Sequence, residues 1–402
     1  MKMPTSRIGL ISTTIFAAAT LAACGGGGGG GDSTPKGTLG VSMTDAPACG
    51  FDAVNVTVSK VRVHQSATAG DTDAGWTDIT LSPARKINLL NLTNGALETL
   101  GETPLAAGHY TQMRLVLDAN ANNGLANSVI ATGTTTEVSL DTPSAVQSGI
   151  KLVNEFDVAS GQRVDLVLDF NACKSVVTKG NGKYALKPVV KVVPTVLNGI
   201  SGFVNTALLG SHVMVSAQQN GVVVASTAPS ATTGEFFLAR LAPGNYDVVI
   251  TADNSATTVV AAVPVATTTS TTTLSTVAAP FALAPGAQGS ISGKVTLPAG
   301  STEVAYVSAK QTFAAGPTVT VKYQGADIST GLYALNSLPL AAPQYAVYSA
   351  ALPLSFAPAL TTTPGTGKYR VEASGTGYAT VAAPSLDISV VNQTNVDFTL
   401  TP

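Results

Sequence analysis

The 402-residue sequence is poor in the groups that do chemistry. Charged residues make up only 11% and the formal net charge is -2. The lysines and arginines form no cluster able to follow a phosphate backbone, which excludes a nucleic acid partner. The three histidines, His64, His109 and His212, are scattered, and none has a second histidine at helical metal spacing. Aromatic residues are 5%, with one tryptophan, so few flat platforms exist for stacking sugars. No Gly-x-Ser-x-Gly nucleophile turn is present: Gly289-Ser290-Ile291-Ser292-Gly293 places its serines differently and leads into a strand. The only glycine tract, 25–31, does not join a strand to a helix, so it is no phosphate loop. These absences give the expectation that the protein is not an enzyme and carries no cofactor.

What is present is valine, threonine and alanine, with 39 glycines and 22 prolines, a composition of strands and turns. The chain is too long for one core and suggests two or three domains. Its first residues have a different character. Lys2 and Arg7 precede an apolar run over 8–21, too short to span a bilayer and suited to a signal sequence. The run ends in Leu21-Ala22-Ala23-Cys24, which resembles the lipobox of bacterial lipoproteins. That resemblance implies cleavage before Cys24, diacylglycerylation of its thiol and acylation of the new α-amino group. The rival reading is a transmembrane anchor or a plain secretory signal. Glycine follows at once, where a stop-transfer segment needs a longer apolar run and flanking charge. Gly25 to Gly31 and Asp32-Ser33-Thr34-Pro35 form a flexible tether. Gly25 in place of aspartate implies, by the same resemblance, passage to the outer membrane of a two-membrane bacterium.

With Cys24 lipidated, Cys49 and Cys173 remain as an even pair in an oxidising compartment. One disulfide is the expectation, closing a long loop for up to ~4–5 kcal/mol in the chain-entropy model. Two buried free thiols are the alternative. Neither cysteine has a metal-ligand neighbour.

The chain divides into a signal peptide (1–23), a lipidated tether (24–36) and three bodies (37–196, 197–285 and 286–402). The fold class expected is all-β, with tandem Greek-key sandwiches after the tether. In the first body, Val54-Asn55-Val56-Thr57-Val58, Met113-Arg114-Leu115-Val116-Leu117 and Val164-Asp165-Leu166-Val167-Leu168 alternate with period two. Its one candidate helix is 89–100, weakened by Gly95. Gly40-Val41-Ser42-Met43-Thr44-Asp45-Ala46-Pro47, Val56 to Val61, Ala107-Gly108-His109-Tyr110-Thr111-Gln112-Met113-Arg114-Leu115 and Lys187-Pro188-Val189-Val190-Lys191 make this body resemble the bacterial domain family DUF4382, which has no agreed activity.

The second body carries Gly234-Glu235-Phe236-Phe237-Leu238-Ala239-Arg240-Leu241-Ala242-Pro243-Gly244-Asn245-Tyr246. It resembles the carboxypeptidase regulatory-like, or transthyretin-like, sandwich, which is the non-catalytic module of its parent family. The third body repeats the device from Gly331 to Pro339. It offers two candidate return strands, at Tyr345 and at Gly367-Lys368-Tyr369, with an insertion at 345–364. The segment 266–276 reads as a strand. Leu105-Ala106-Ala107-Gly108-His109-Tyr110 echoes Leu241-Ala242-Pro243-Gly244-Asn245-Tyr246, so all three bodies have the pattern of one kind of sandwich.

The densest carboxylate group is Asp71, Asp73 and Asp78, beside Trp76. It offers weak candidate ligands for a hard cation such as calcium, against the simpler reading of a solvated hairpin loop. Asp45 is a further weak candidate, whose simpler role is to fix the turn before Cys49. The reading as a whole is a membrane-anchored, non-enzymatic binding, adhesion or scaffold protein of the cell envelope. Its partners would be the membrane, through the lipid, and a glycan or envelope protein. The alternatives are a calcium- or zinc-dependent hydrolase assembled from distant residues, or a structural spacer.

Overall fold

In the first body, strand Lys36–Ala46 sends Leu39, Val41 and Met43 into the core, each almost wholly buried. The computed structural model describes residues 36–46, 50–152, 154–194, 198–356 and 361–402, and the signal segment, Cys24, the glycine tract and Cys49 lie outside them. The first strand therefore already includes Lys36, the last residue assigned to the tether. It pairs in parallel with Arg163–Asn171 and antiparallel with Glu98–Ala106, and Val190–Pro194 completes a four-stranded sheet. The facing eight-stranded sheet is built on Phe51–His64. There Val54, Val56 and Val58 point inward, then Val61 and Val63 do. The alternation slips by one residue, and a bulge between Val58 and Lys60 absorbs the slip.

The helix expected over 89–100 is not formed. A 3-10 turn spans Leu89–Leu92, with the Asn88 side chain accepting from the Leu90 N–H. Asn94 and Gly95 then take left-handed backbone (φ 58 and 76) and the chain continues into strand Glu98–Ala106. Left-handed residues cannot continue a right-handed helix.

The second and third bodies share one topology. In the second, Gly199–Phe203 pairs antiparallel with Glu235–Ala239 and in parallel with Thr271–Thr273, the short strand within the 266–276 segment. In the third, Gln288–Thr296 pairs in the same senses with Leu332–Pro339 and Phe398–Thr399. Each three-stranded sheet faces a larger one. Val222–Thr227, Met214–Gln219, Gly244–Thr251 and Thr258–Val265 correspond in order to Thr318–Gly325, Tyr306–Phe313, Lys368–Ser374 and Val381–Asp387. The return strand of the third body is thus the one beginning Lys368-Tyr369, and Tyr345 belongs to the inserted segment.

A hydrogen bond common to all three bodies underlies the sequence echo. The hydroxyls of Tyr110, Tyr246 and Tyr369 donate to the carbonyls of Ala106, Ala242 and Pro339, at 3.0, 2.7 and 2.6 Å. Each acceptor directly follows a buried leucine: Leu105, Leu241 or Leu338. This ties the start of a strand to the corner before it, as in the tyrosine corners of other sandwiches. In the third body the insertion separates donor from acceptor in sequence and leaves the bond in place.

The central sheet of the second body is covered on both faces. Val248, Ile250, Val260 and Val263 pack in that body's own core, whereas Val249, Val259 and Ala261 pack into the core of the third. The inserted segment seals the arrangement. Its strand Gln344–Val347 pairs in parallel with Thr258–Val265 as a fifth strand. Tyr345 meets Phe313 in the third core at a 4.7 Å ring separation, while Tyr348, Leu354 and Phe356 pack on the second. What the sequence presents as an insertion in one body is a clasp between two.

Polar contacts also lock the bodies together. The buried Gln218 amide donates to the Thr320 carbonyl at 2.7 Å and accepts from the Thr320 N–H at 2.8 Å. The Asn94 carboxamide oxygen accepts from the Thr227 hydroxyl and from the Phe237 N–H, at 2.9 and 3.1 Å. Asp327 accepts from the Gly180 N–H at 2.7 Å, and the Tyr306 hydroxyl donates to the Lys174 carbonyl at 2.8 Å. First, second and third bodies are therefore joined pairwise and enclose a common junction. Replacing Gln218 by Leu strands both backbone groups of Thr320 away from water. The expected cost is about 1–3 kcal/mol, read as a lower urea midpoint; an unchanged midpoint would show that the junction opens without this bond.

Candidate functional site: the junction of three sandwiches

The carboxylates singled out in the sequence do not converge. Among the described residues no group of three or more His, Cys, Asp or Glu side chains is placed to hold a metal ion. Asp71 pairs with Arg114, whose guanidinium is almost fully buried and also donates to Gln112 Oε1, the Ala69 carbonyl and the Ser148 carbonyl. Asp78 pairs with Arg62 at 2.8 Å and Lys60 at 3.2 Å, and Asp73 accepts from the Gly70 N–H at 2.9 Å. Trp76 lies between two guanidiniums, those of Arg62 and Arg114, each carbon 4.7 Å from its ring centre. Its indole N–H donates to the Gly70 carbonyl at 2.8 Å. The segment is a neutralised cation–π stack holding a loop over a buried arginine. The cations come from strands 51–64 and 112–117, far from the acidic run in sequence, which is why the run alone suggested a metal loop.

Asp45 is buried and accepts the Ala172 N–H at 3.0 Å. It thereby ties the first strand to the start of the short helix Ala172–Ser175 that contains Cys173; the turn before Cys49, which its simpler reading assigned to it, lies outside the described residues. The histidines stay apart. His64 bonds the Ala74 carbonyl and the Ser66 N–H, and exposed His109 is held by Asp157 at 2.8 Å, a bond that raises its pKa. His212 Nδ1 lies 2.6 Å from Asp253 Oδ2.

Sequence reasoning missed two cavities at the junction. The smaller, of about 70 Å³, lies between the first and second bodies and is lined by Asp45, Asp169, Lys174, Lys191, Ser226 and Arg240 among others. Burial raises the pKa of Asp169 to about 6, opposed by the nearby charges of Lys191 and Arg240. Burial lowers Arg240 and Lys174. Arg240 Nε and Nη1 find no acceptor among the described residues. The left-handed backbone of Arg240 (φ 57) has a counterpart at the equivalent Ser337 (φ 58). That conformation belongs to the sandwich corner and is no sign of an active site.

The larger cavity, of about 540 Å³, is lined by strands from all three bodies. The first contributes Phe51 and Leu90, the second Met214 and Val249, and the third Val321 and Tyr323. Its polar groups are the His212–Asp253 pair, Lys322, Asn336 and Ser337. Burial pulls the Lys322 ammonium below its usual range, and Asp253 acts in the opposite direction. His212 with Asp253 is half of a hydrolytic relay, yet among the described residues no hydroxyl or thiol hydrogen-bonds to its other ring nitrogen. Among the described residues the pair is an imidazole and a carboxylate beside an open wall, with no hydrogen-bonded nucleophile.

Asp169 supplies a pH signature for the junction. Its folded-state pKa is raised from 3.8 to about 6, so protonation favours the fold. This contribution is complete below about pH 4 and is lost as pH rises through 6. Asp169→Asn does not titrate. The unfolding stability of the wild type relative to this variant should fall by ~2–3 kcal/mol between pH 4 and 7. A difference that stays flat across thermal melts in that range would contradict the assignment.

Comparison with known proteins is informative for one body. Among curated proteins no match was found. Solved structures gave low-scoring likenesses. The Bacillus anthracis TIE protein is 11% identical, with 91% of this chain and 50% of that chain covered and a TM-score of 0.17. This chain thus spans about half its length. The Bacillus cereus major pilin subunit BcpA is 12% identical, with 91% and 99% covered and a TM-score of 0.17. The Corynebacterium diphtheriae major pilin SpaA is 12% identical, with 91% and 100% covered and a TM-score of 0.19. Scores this low carry no argument. The chain is an all-β protein of tandem sandwiches, and residues 36–188, within the first of them, match the family model described as a domain of unknown function, DUF4382.

Proposed function

We propose that the chain is a lipid-anchored protein of the cell envelope that displays a fused, non-enzymatic binding body. The observation that carries the binding part is the 540 Å³ cavity at the junction, which no single sandwich could enclose. The anchoring part rests on Leu21-Ala22-Ala23-Cys24 and the glycine tract after it. Among the described residues no helix is long and apolar enough to cross a membrane. A spacer would require no closed junction; Gln218, Asn94 and Asp327 each commit side chains to one.

A Cys49–Cys173 disulfide belongs to the same proposal. The register sets Ala46 beside Asn171, so the two cysteines leave neighbouring strand ends only a few residues on. The bridge would fasten the first strand of the body, the one nearest the tether, to its partner strand.

In cells, the protein is expected in the membrane fraction and labelled by palmitate, with both properties lost in Cys24→Ala; a variant that stays membrane-bound would remove the lipid anchor from the reading. Non-reducing peptide mapping should recover the Cys49 and Cys173 peptides as one species. Cys173→Ser should cost about 2–4 kcal/mol of stability. Capture of glycans on an array by the purified chain would make the bound partner a carbohydrate. Capture of neither glycan nor envelope protein would leave the cavity to a smaller ligand.

A further inference from the structure

We propose that the junction cavity binds an amphipathic organic carboxylate, its apolar part against the valine-rich walls and its carboxylate on Lys322. The inference rests on the binding reading above and is independent of the anchor. A volume of about 540 Å³ falls in the range of roughly 300–1,000 Å³ usual for small-molecule sites. Phe51, Leu90, Met214, Val249 and Val321 supply apolar wall from three different bodies. Gly50 and Gln324, also on the lining, are exposed, so the cavity reaches solvent.

Charge selects the class of ligand. Lys322 stands on Thr318–Gly325, opposite Ala309 in the neighbouring strand. It is half-buried, and among the described residues it has no hydrogen bond or ion pair. Asp253, the carboxylate whose charge acts on it, is engaged with His212 at 2.6 Å. A partly desolvated cation without a bonded partner is costly, and an incoming anion relieves the cost. A cationic ligand would add repulsion, and a neutral one could offer an acceptor but no opposite charge. With Asp253 tied to His212, Lys322 is the one lining charge without a bonded partner among the described residues, and beside the apolar wall of Phe51, Leu90, Met214, Val249 and Val321 it fits one carboxylate on a hydrocarbon body.

The test is calorimetric titration of the purified full chain with decanoate, decan-1-ol and decylammonium. Decanoate should bind with one-to-one stoichiometry, the alcohol roughly tenfold or more weakly, since it brings no opposite charge to the ammonium, and the amine more weakly still. Lys322→Met should bring decanoate down to the affinity of the alcohol, and Lys322→Arg should keep the preference. No saturable decanoate binding by the wild type, or a preference that survives Lys322→Met, would overturn the proposal. If Lys322→Met does not fold, Lys322→Gln is measured in its place, and the wild-type comparison of decanoate with decan-1-ol decides by itself. A membrane-bound chain that ignores decanoate defeats this inference alone. A soluble chain that binds it defeats only the anchor.

Discussion

The central sheet of the second sandwich is the element on which the rest depends, because it is apolar on both faces. A sheet in a two-layer sandwich needs only one apolar face, and its strands then alternate. Here Val248-Val249-Ile250 and Val259-Val260-Ala261 run without alternation, and successive side chains enter different cores. Exposing either face would return a row of valines to water, at a cost near 25 cal/mol per Å². The second body therefore has to be covered by the third, and the 340–356 segment secures the cover by adding a strand to that same sheet.

Once two bodies share a wall, the first joins them through side-chain hydrogen bonds. Asn94 is held left-handed at its turn and answers both Thr227 and Phe237. Three curved sandwiches cannot fill the space at their meeting point as interdigitated layers do. What is left is a chamber lined by the backs and edges of strands. Its polar groups, Lys322 and the His212–Asp253 pair, come from loops and strands that have no sequence relation to one another.

Much of the architecture was legible in local pattern. Period-two valines mark the strands of the first body, while the bulge between Val58 and Lys60 emerged from the strand register. The Leu-Ala-x-Gly-x-Tyr echo proved to be one hydrogen bond used three times, with the insertion after Pro339 hiding its third copy. The uninterrupted valines of the second body carry the pattern of a strand buried on both sides, but only the packing of the third body against it shows which core each side enters. Other features depended on partners far along the chain. Arg114 sits in an apolar strand, and only the fold shows that Asp71 neutralises it. The Asp71–Asp78 run is acidic in sequence and balanced in space, because Arg62, Lys60 and Arg114 arrive from neighbouring strands.

The sequence by itself determined the β class, the three sandwich bodies, the turn chemistry of each corner and an N-terminal segment with the pattern of a lipidation signal. These follow from interactions within a few residues, where pattern and conformation are directly coupled. Tertiary structure alone decided that the bodies close on one another, that an apparent insertion is a clasp, and that a half-buried lysine faces a chamber. Each of those depends on which surfaces meet, and burial, pairing and desolvation are properties of the meeting rather than of either surface.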